Sequence, residues 1–332
     1  MKPKNGRPIK LISGSSNRPL AEKIAKYVGV ELSPALIDVF NDGESQIEIH
    51  DNMRGCDVFV IQSTCAPANH NVMELYLILD ALKRSSCWRV TAVIPYFGYG
   101  RQDRKIKPRV PISAKAVADI ISFGGIDRVL TIDLHSGQAQ GFFNCPVDHL
   151  FGSMVFIDEI RTIVEANKDT EFVLVSPDAG SNDRVEAYSD ILGLPMATCY
   201  KKRGRPGEIS KMILLGYVKG MHCILIDDMI DSGGTLIKAT HLLLNEQADC
   251  VDVYATHGVL SGNAIHNLNG SNIRRLVLTD TIPVRPELDT NNPNCMSRKF
   301  THRSVAQLFA TAIKNIHSET SVSCLFGGDG ED

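Results

Sequence analysis

The stretch Cys223–Thr235, CILIDDMIDSGGT, is an apolar run that ends in two adjacent acids, with a third acid and Ser-Gly-Gly-Thr close behind. Near-continuous Val/Ile/Leu-type content reads as a strand buried on both faces. The residues from Thr235 onward, TLIKATHLLLNEQ (235–247), have helical spacing. Backbone amides at that helix start, with the Ser232 and Thr235 hydroxyls, suit a terminal phosphate. Gly233 and Gly234 permit positive φ and close backbone approach. Asp227 and Asp228 stand at the strand end, where carboxylates accept hydrogen bonds from sugar hydroxyls. A phosphate favours the turn and is repelled by the acids. One ligand satisfies both: a sugar with a phosphate at one end and a vicinal diol in the middle. For any single residue the plainer reading is a capped strand–turn–helix with solvated acids, but the whole string favours the ligand.

The same pattern recurs along the chain. Short apolar runs stand at 9–14, 57–63, 89–96, 128–135, 172–178, 221–228, 252–258 and 274–280. Amphipathic stretches lie between them at 19–29, 71–85, 112–125, 154–167 and 235–247. Strand alternating with helix predicts an α/β fold with parallel sheets. The plan occurs twice. One domain is expected over residues 1–155 and a second over 156–326, with the acidic, Gly-rich end (327–332) as a disordered tail. In such folds ligands gather beyond the carboxyl ends of the strands. The strand ends here carry PYFGYGRQDR, DLHSGQ, SPDAGSNDR and DDMIDSGGT.

The totals narrow the class. The chain has 332 residues, 43% hydrophobic and 22% charged, with a net charge of −3. No bulk basicity points to nucleic acid or a membrane surface, and no apolar run is long enough to span a bilayer. Nine cysteines occur singly with no C-x-x-C pair, which argues against a zinc site and fits a reducing compartment. The N-terminus lacks a signal-peptide core, so a cytoplasmic location is expected.

Other segments carry their own chemistry. GRQDRKIKPR places Arg101, Arg104, Lys105, Lys107 and Arg109 within nine residues. Such a set fits a polyphosphate, which Arg binds bidentately, or else is a solvated basic loop. His135 ends an apolar run, where an isolated histidine is more often structural. Asp178 ends another. YKKRGRPGEISK (200–211) is basic, rich in Gly and Pro, and reads as a mobile loop or a solvated charge run.

Taken in order, NDGESQIEI (41–49), GYGRQDRKIKPRVPISAK (98–115), TIDLHSGQAQGFFNCPVDHL (131–150), VSPDAGSNDR (175–184), DDMIDSGGT (227–235) and SVSCLF (321–326) resemble the signature segments of the ribose-phosphate pyrophosphokinase family. The resemblance runs from LISGSSN to Phe326. It implies two phosphoribosyltransferase-like domains, each a mainly parallel sheet flanked by helices. It also implies transfer of the diphosphoryl group of ATP to the anomeric hydroxyl of ribose 5-phosphate, giving phosphoribosyl pyrophosphate (PRPP) and AMP.

By that resemblance, Arg101, Gln102 and Asp103 belong to the ATP site, with Phe40, Asp42 and Glu44 supplied by another subunit and Phe40 stacked on the adenine. His135 and Asp178 sit at or near a magnesium site, His135 also being counted as catalytic. Lys201 and Arg203 match the Lys-x-Arg pair of a flexible catalytic loop, and Lys202 with Arg205 is a second register. Asp227, Asp228, Asp231, Ser232, Gly233, Gly234 and Thr235 hold ribose 5-phosphate. Gln140, Asp148, Ser321, Val322 and Ser323 match a regulatory phosphate/ADP pocket, with inorganic phosphate as activator. A homo-oligomer is expected, commonly a hexamer, with neither nucleic acid nor membrane as partner.

Two departures stand out. The usual PDAGG reads PDAGS, with Ser181 at the second Gly, which predicts a narrower site or an altered turn. Gly137 stands where the phosphate-regulated class commonly has Ser. Two other activities share parts of this pattern: a phosphoribosyltransferase, which needs no GRQDRK, and a catalytically silent homologue, which would be expected to lose the loop Lys/Arg or the Asp-Asp pair.

Overall fold

A computed structural model describes residues 6–202, 211–290, 292, 293, 295 and 297–325. The chain divides into two compact units. One runs to Phe151 and also takes Thr281–Pro283 and the segment from Ser304 on. The other holds Gly152–Asp280 and Val284–Arg303.

In the first unit, β1 (Ile9–Ser13), α1 (Arg18–Val28), β2 (Ala35–Val39), β3 (Ser45–Ile49), β4 (Asp57–Ile61), α2 (Ala68–Arg84), β5 (Arg89–Ile94), α3 (Ser113–Phe123), β6 (Arg128–Ile132) and β7 (Val147–Leu150) follow one another. A parallel sheet has the order β1-β4-β5-β6-β7, and β2 with β3 forms a separate antiparallel hairpin. Strands whose every residue is buried, such as DVFVI in β4, explain the unbroken apolar runs.

The second unit opens with α4 (Ser153–Ala166) and continues through β8 (Phe172–Ser176), α5 (Asn182–Leu192), β9 (Met196–Lys202), β10 (Lys211–Leu215), β11 (His222–Ile230), α6 (Gly234–Asn245), β12 (Cys250–Gly258), α7 (Ala264–Asn269), β13 (Arg275–Thr279) and β14 (Phe300–Arg303). Its sheet order is β10-β9-β8-β11-β12-β13-β14, parallel throughout except for β10 against β9. Alternate residues of each strand feed opposite cores. Val173, Val175, Cys223 and Leu225 pack with Leu236, Ala239 and Leu243 of α6. Leu174, Ile224 and Ile226 pack with Phe156 and Ile160 of α4 and Val185 and Tyr188 of α5.

The expectation of α/β domains with mainly parallel sheets flanked by helices is met. The boundary expected at 155/156 needs correction. The chain passes to the second unit at Phe151/Gly152, and α8 (Ala306–Ser318) belongs to the first unit. Asp57, wholly buried, explains this attachment. It accepts hydrogen bonds from Arg89 Nε and Nη2 at 2.9 and 2.6 Å and pairs with His317 Nδ1 of α8 at 2.8 Å. Arg89 Nη2 also donates to the Ile316 carbonyl at 2.9 Å. Phe309, Ile313 and Ile316 of α8 are buried.

Candidate active site

In the second unit the chain order reverses at β8: β9 lies on one side of it and β11 on the other. Reversals of this kind open a crevice at the carboxyl ends of the strands. β11 pairs with β8 only over His222–Leu225, then runs on beside β12 to Ile230. Asp227 and Asp228 therefore stand past the end of β8, where the turn Pro177–Ser181 folds beside them.

Three groups converge there. Ser181 Oγ donates to Asp227 Oδ1 at 3.0 Å, and the backbone N–H of Asp228 donates to the same oxygen at 2.9 Å. Asp178 Oδ1 accepts from the Gly180 N–H at 2.9 Å, closing the turn. Burial pushes the Asp227 carboxyl well above the usual carboxylate range. The neighbouring Asp228 adds to this, Ser181 opposes it, and Asp178 adds a smaller upward push. Hydroxyl donors from a ligand would favour the ionised form of Asp227 against that burial.

The turn Asp231–Thr235 follows β11 directly. Gly233 has φ 76°, and a Cβ there would lie 2.9 Å from Leu268 side-chain atoms, so both conformation and space require glycine. Gly234 has neither constraint, its nearest neighbour to such a Cβ being Ser232 Oγ at 3.7 Å. The ladder of α6 begins with Ile237 N–H donating to Gly233 O at 3.0 Å, so the amides before it have no partner within the helix. Ser232 and Thr235 are exposed, with hydroxyls free to face an anion. Asp231 accepts from the Ser261 hydroxyl, which ties the turn to the segment after β12.

Lys201 is exposed on β9, opposite Met212 of β10. Both ends of the stretch expected as a loop over 200–211 are strand. Tyr200, Lys201 and Lys202 complete β9, and Lys211 pairs with Lys202 to start β10. Arg203 and Arg205 lie outside the described residues.

The remaining expected residues fall in the first unit. Phe40, Asp42 and Glu44 form the tip of the β2–β3 hairpin, closed by Phe40 N–H to Glu44 O at 2.7 Å and Glu44 N–H to Asp42 Oδ1 at 3.1 Å. Phe40 is 48% exposed, so it is not a core residue. After β5, Gly98 passes so close to Thr64 that a Cβ would meet its carbonyl oxygen at 2.1 Å. Arg101, Gln102 and Asp103 follow, with Gln102 Oε1 held by Ser113 Oγ at 2.6 Å at the start of α3. His135 is exposed, three residues past the end of β6.

The expected regulatory residues also lie in the first unit, each with local partners. Gln140 Nε2 donates to Gly137 O at 2.9 Å. Asp148 on β7 is ion-paired to Arg128 at 2.6 Å. Ser321 O accepts from Asn315 Nδ2 at 2.9 Å, Ser323 N–H donates to Ser321 Oγ at 3.1 Å, and Leu325 N–H donates to Val322 O at 2.9 Å.

No three His, Cys, Asp or Glu side chains cluster as a metal site among the described residues. Magnesium does not require such a cage, since it keeps waters and takes phosphate oxygens alongside one or two carboxylates. Asp178, with one oxygen committed to Gly180, fits that role. No helix among the described residues is long and apolar enough to cross a membrane. The Ser181–Asp227 contact was missed by sequence reasoning, because the partners are 46 positions apart. The Ser in place of Gly was the signal, without a direction.

Known proteins match nearly the whole chain. Residues 9–125 match the family described as the N-terminal domain of ribose phosphate pyrophosphokinase, and residues 163–327 match the phosphoribosyl synthetase-associated domain. A ribose-phosphate pyrophosphokinase of Caldanaerobacter subterraneus is 46% identical over 96% of this chain and 98% of its own. One from Agrobacterium fabrum is 47% identical over 96% and 100%. The crystal structure of phosphoribosylpyrophosphate synthetase from Mycobacterium smegmatis superposes with a TM-score of 0.85 at 37% identity, covering 94% of this chain and 100% of that one. On its fold and this full-length similarity, the chain belongs to the ribose-phosphate pyrophosphokinase family.

Proposed function

We propose that the protein transfers the β,γ-diphosphoryl group of ATP to the anomeric hydroxyl of ribose 5-phosphate. The sugar oxygen attacks the β-phosphorus in line, the bond from that phosphorus to the α-phosphate oxygen breaks, and the hydroxyl proton is lost. The products are PRPP and AMP, for nucleotide biosynthesis. The observation that carries this reading is the placement of Asp227 and Asp228 immediately before the Gly233 turn, at the point where the sheet order reverses. This suits a sugar whose diol meets the acids and whose 5-phosphate meets the amides of α6 and the hydroxyls of Ser232 and Thr235.

Transfers of this kind rest on positioning and charge stabilisation. Lys201, with Arg203, would neutralise charge on the transferring group. Arg101, Gln102 and Asp103 would hold ATP, and the exposed Phe40, with Asp42 and Glu44, would serve the adenine side of another subunit's site in a homo-oligomer. Asp178 and His135 would serve magnesium, which when bound offsets charge on phosphate oxygens. Gln140, Asp148 and Ser321–Ser323 would form a regulatory phosphate/ADP pocket, and the enzyme would work in the cytosol. The test is release of AMP from ATP with magnesium and phosphate present, which must depend on ribose 5-phosphate.

A further inference from the structure

We propose that Ser181 is a positioning residue for the sugar-binding acid Asp227, a role that rests on the reading of the ribose site above. Ser181 is the N-cap of α5, where a Ser oxygen normally accepts from an amide of the first helical turn. It makes no such cap bond. Its hydroxyl instead donates to Asp227 Oδ1 at 3.0 Å. The residue is 6% exposed, so the hydroxyl is largely withdrawn from water. Its backbone, at φ −96° and ψ 3°, lies outside the left-handed region that favours glycine.

Two donors, Ser181 Oγ and the Asp228 amide, therefore load one oxygen of Asp227 and fix the plane of its carboxyl group. The sugar would meet this oriented carboxyl group together with that of Asp228 beside it. A carboxyl group held in this way before the ligand arrives loses less rotational freedom on binding. Ser181 also draws Asp227 toward its ionised form, against burial and Asp228. A glycine at this position supplies none of these effects. Ser181 thus acts on ribose 5-phosphate affinity and not on the transfer step.

The test compares Ser181→Ala and Ser181→Gly with the parent, using steady-state kinetics and calorimetric binding of ribose 5-phosphate. Both variants should raise KM and Kd for ribose 5-phosphate about 5–10-fold, with kcat and KM for ATP within about twofold. In an Asp227→Asn background, Ser181→Ala should change Kd by less than about twofold, because the acceptor has lost its charge. Thermal melts establish that each variant is folded. Unchanged or tighter ribose 5-phosphate binding in both folded Ser181 variants, with Asp227→Asn weakened, overturns the role of Ser181 alone. If Asp227→Asn itself binds ribose 5-phosphate normally, the reading of the ribose site fails.

Discussion

Gly233 and Leu268 are packed so closely that a single methyl group on Gly233 would sit 2.9 Å from the leucine side chain. Gly233 also holds φ 76°. Gly233→Ala therefore carries left-handed strain and a steric clash, together about 1–3 kcal/mol of stability. Gly234→Ala meets neither and should melt within about 0.5 kcal/mol of the parent. Calorimetric melting of the two variants checks the contrast. Equal stabilities would contradict the assignment of the required glycine.

Asp227 has a carboxyl whose folded-state pKa lies above its ordinary value, chiefly through burial and then through Asp228. A raised carboxyl pKa favours the fold while the group is protonated. That advantage is complete below the unfolded value of about 4 and is lost as pH rises toward the folded value. Asp227→Asn should thus gain stability over the ligand-free parent as pH rises from 4 to 9, while losing ribose 5-phosphate affinity by tenfold or more. Melting curves across that range, with binding at one pH, measure both halves.

Asp252 behaves in the opposite sense. Burial, the largest single influence, raises its pKa, but hydrogen bonds from His222 and Arg274 outweigh it and hold the group down at about 2. Arg274 donates to its two oxygens at 2.8 and 2.6 Å. Stability from a depressed carboxyl is full above the ordinary value of about 4 and is lost as pH falls from there toward 2. Asp252→Asn should cost about 2 kcal/mol or more at pH 7, with the deficit closing below pH 3. A deficit that persists unchanged at pH 2 would show that the ion pair is not its source.

Asp57 joins Arg89 to the terminal helix through His317. Removing one member of a buried ion pair typically costs about 3–5 kcal/mol. Asp57→Ala should lower stability by that amount, with hydrogen exchange accelerating first in residues 306–318. Unaltered protection there would mean that α8 is held by its apolar face alone.

Much of this was legible in the sequence because buried parallel strands leave unbroken apolar runs. All eight such runs became strands, with shifts of a few residues. The acids and glycines after β11 announced their chemistry because strand, turn and helix are contiguous. Elements whose identity depends on distant partners were not legible. Lys201 and Lys202 read as loop because basic residues suppress a strand signal, and only pairing with β10 makes them one. Helix α5 was hidden inside the motif SPDAGSNDR, since a polar first turn looks like the end of a loop. Nothing local in α8 tells which unit it joins. That choice is made by Asp57 and Arg89, more than 200 positions away in the chain.

Lys201 stands exposed on β9, with its charge available to the transferring group. Loss of one charge-stabilising contact in a transfer reaction reduces the rate on the order of 10²–10³-fold. Lys201→Ala should lose turnover by that factor while calorimetric affinity for ribose 5-phosphate stays within about threefold, since the acids and the Gly233 turn are untouched. Near-normal turnover would remove Lys201 from the mechanism.

The diphosphoryl transfer itself is measured by the appearance of AMP from ATP, with magnesium and inorganic phosphate, in the presence and absence of ribose 5-phosphate. AMP and PRPP are expected in equal amounts, and only when ribose 5-phosphate is present. No AMP under any of these conditions from folded protein that still binds ribose 5-phosphate would contradict it and identify a catalytically silent member of the family.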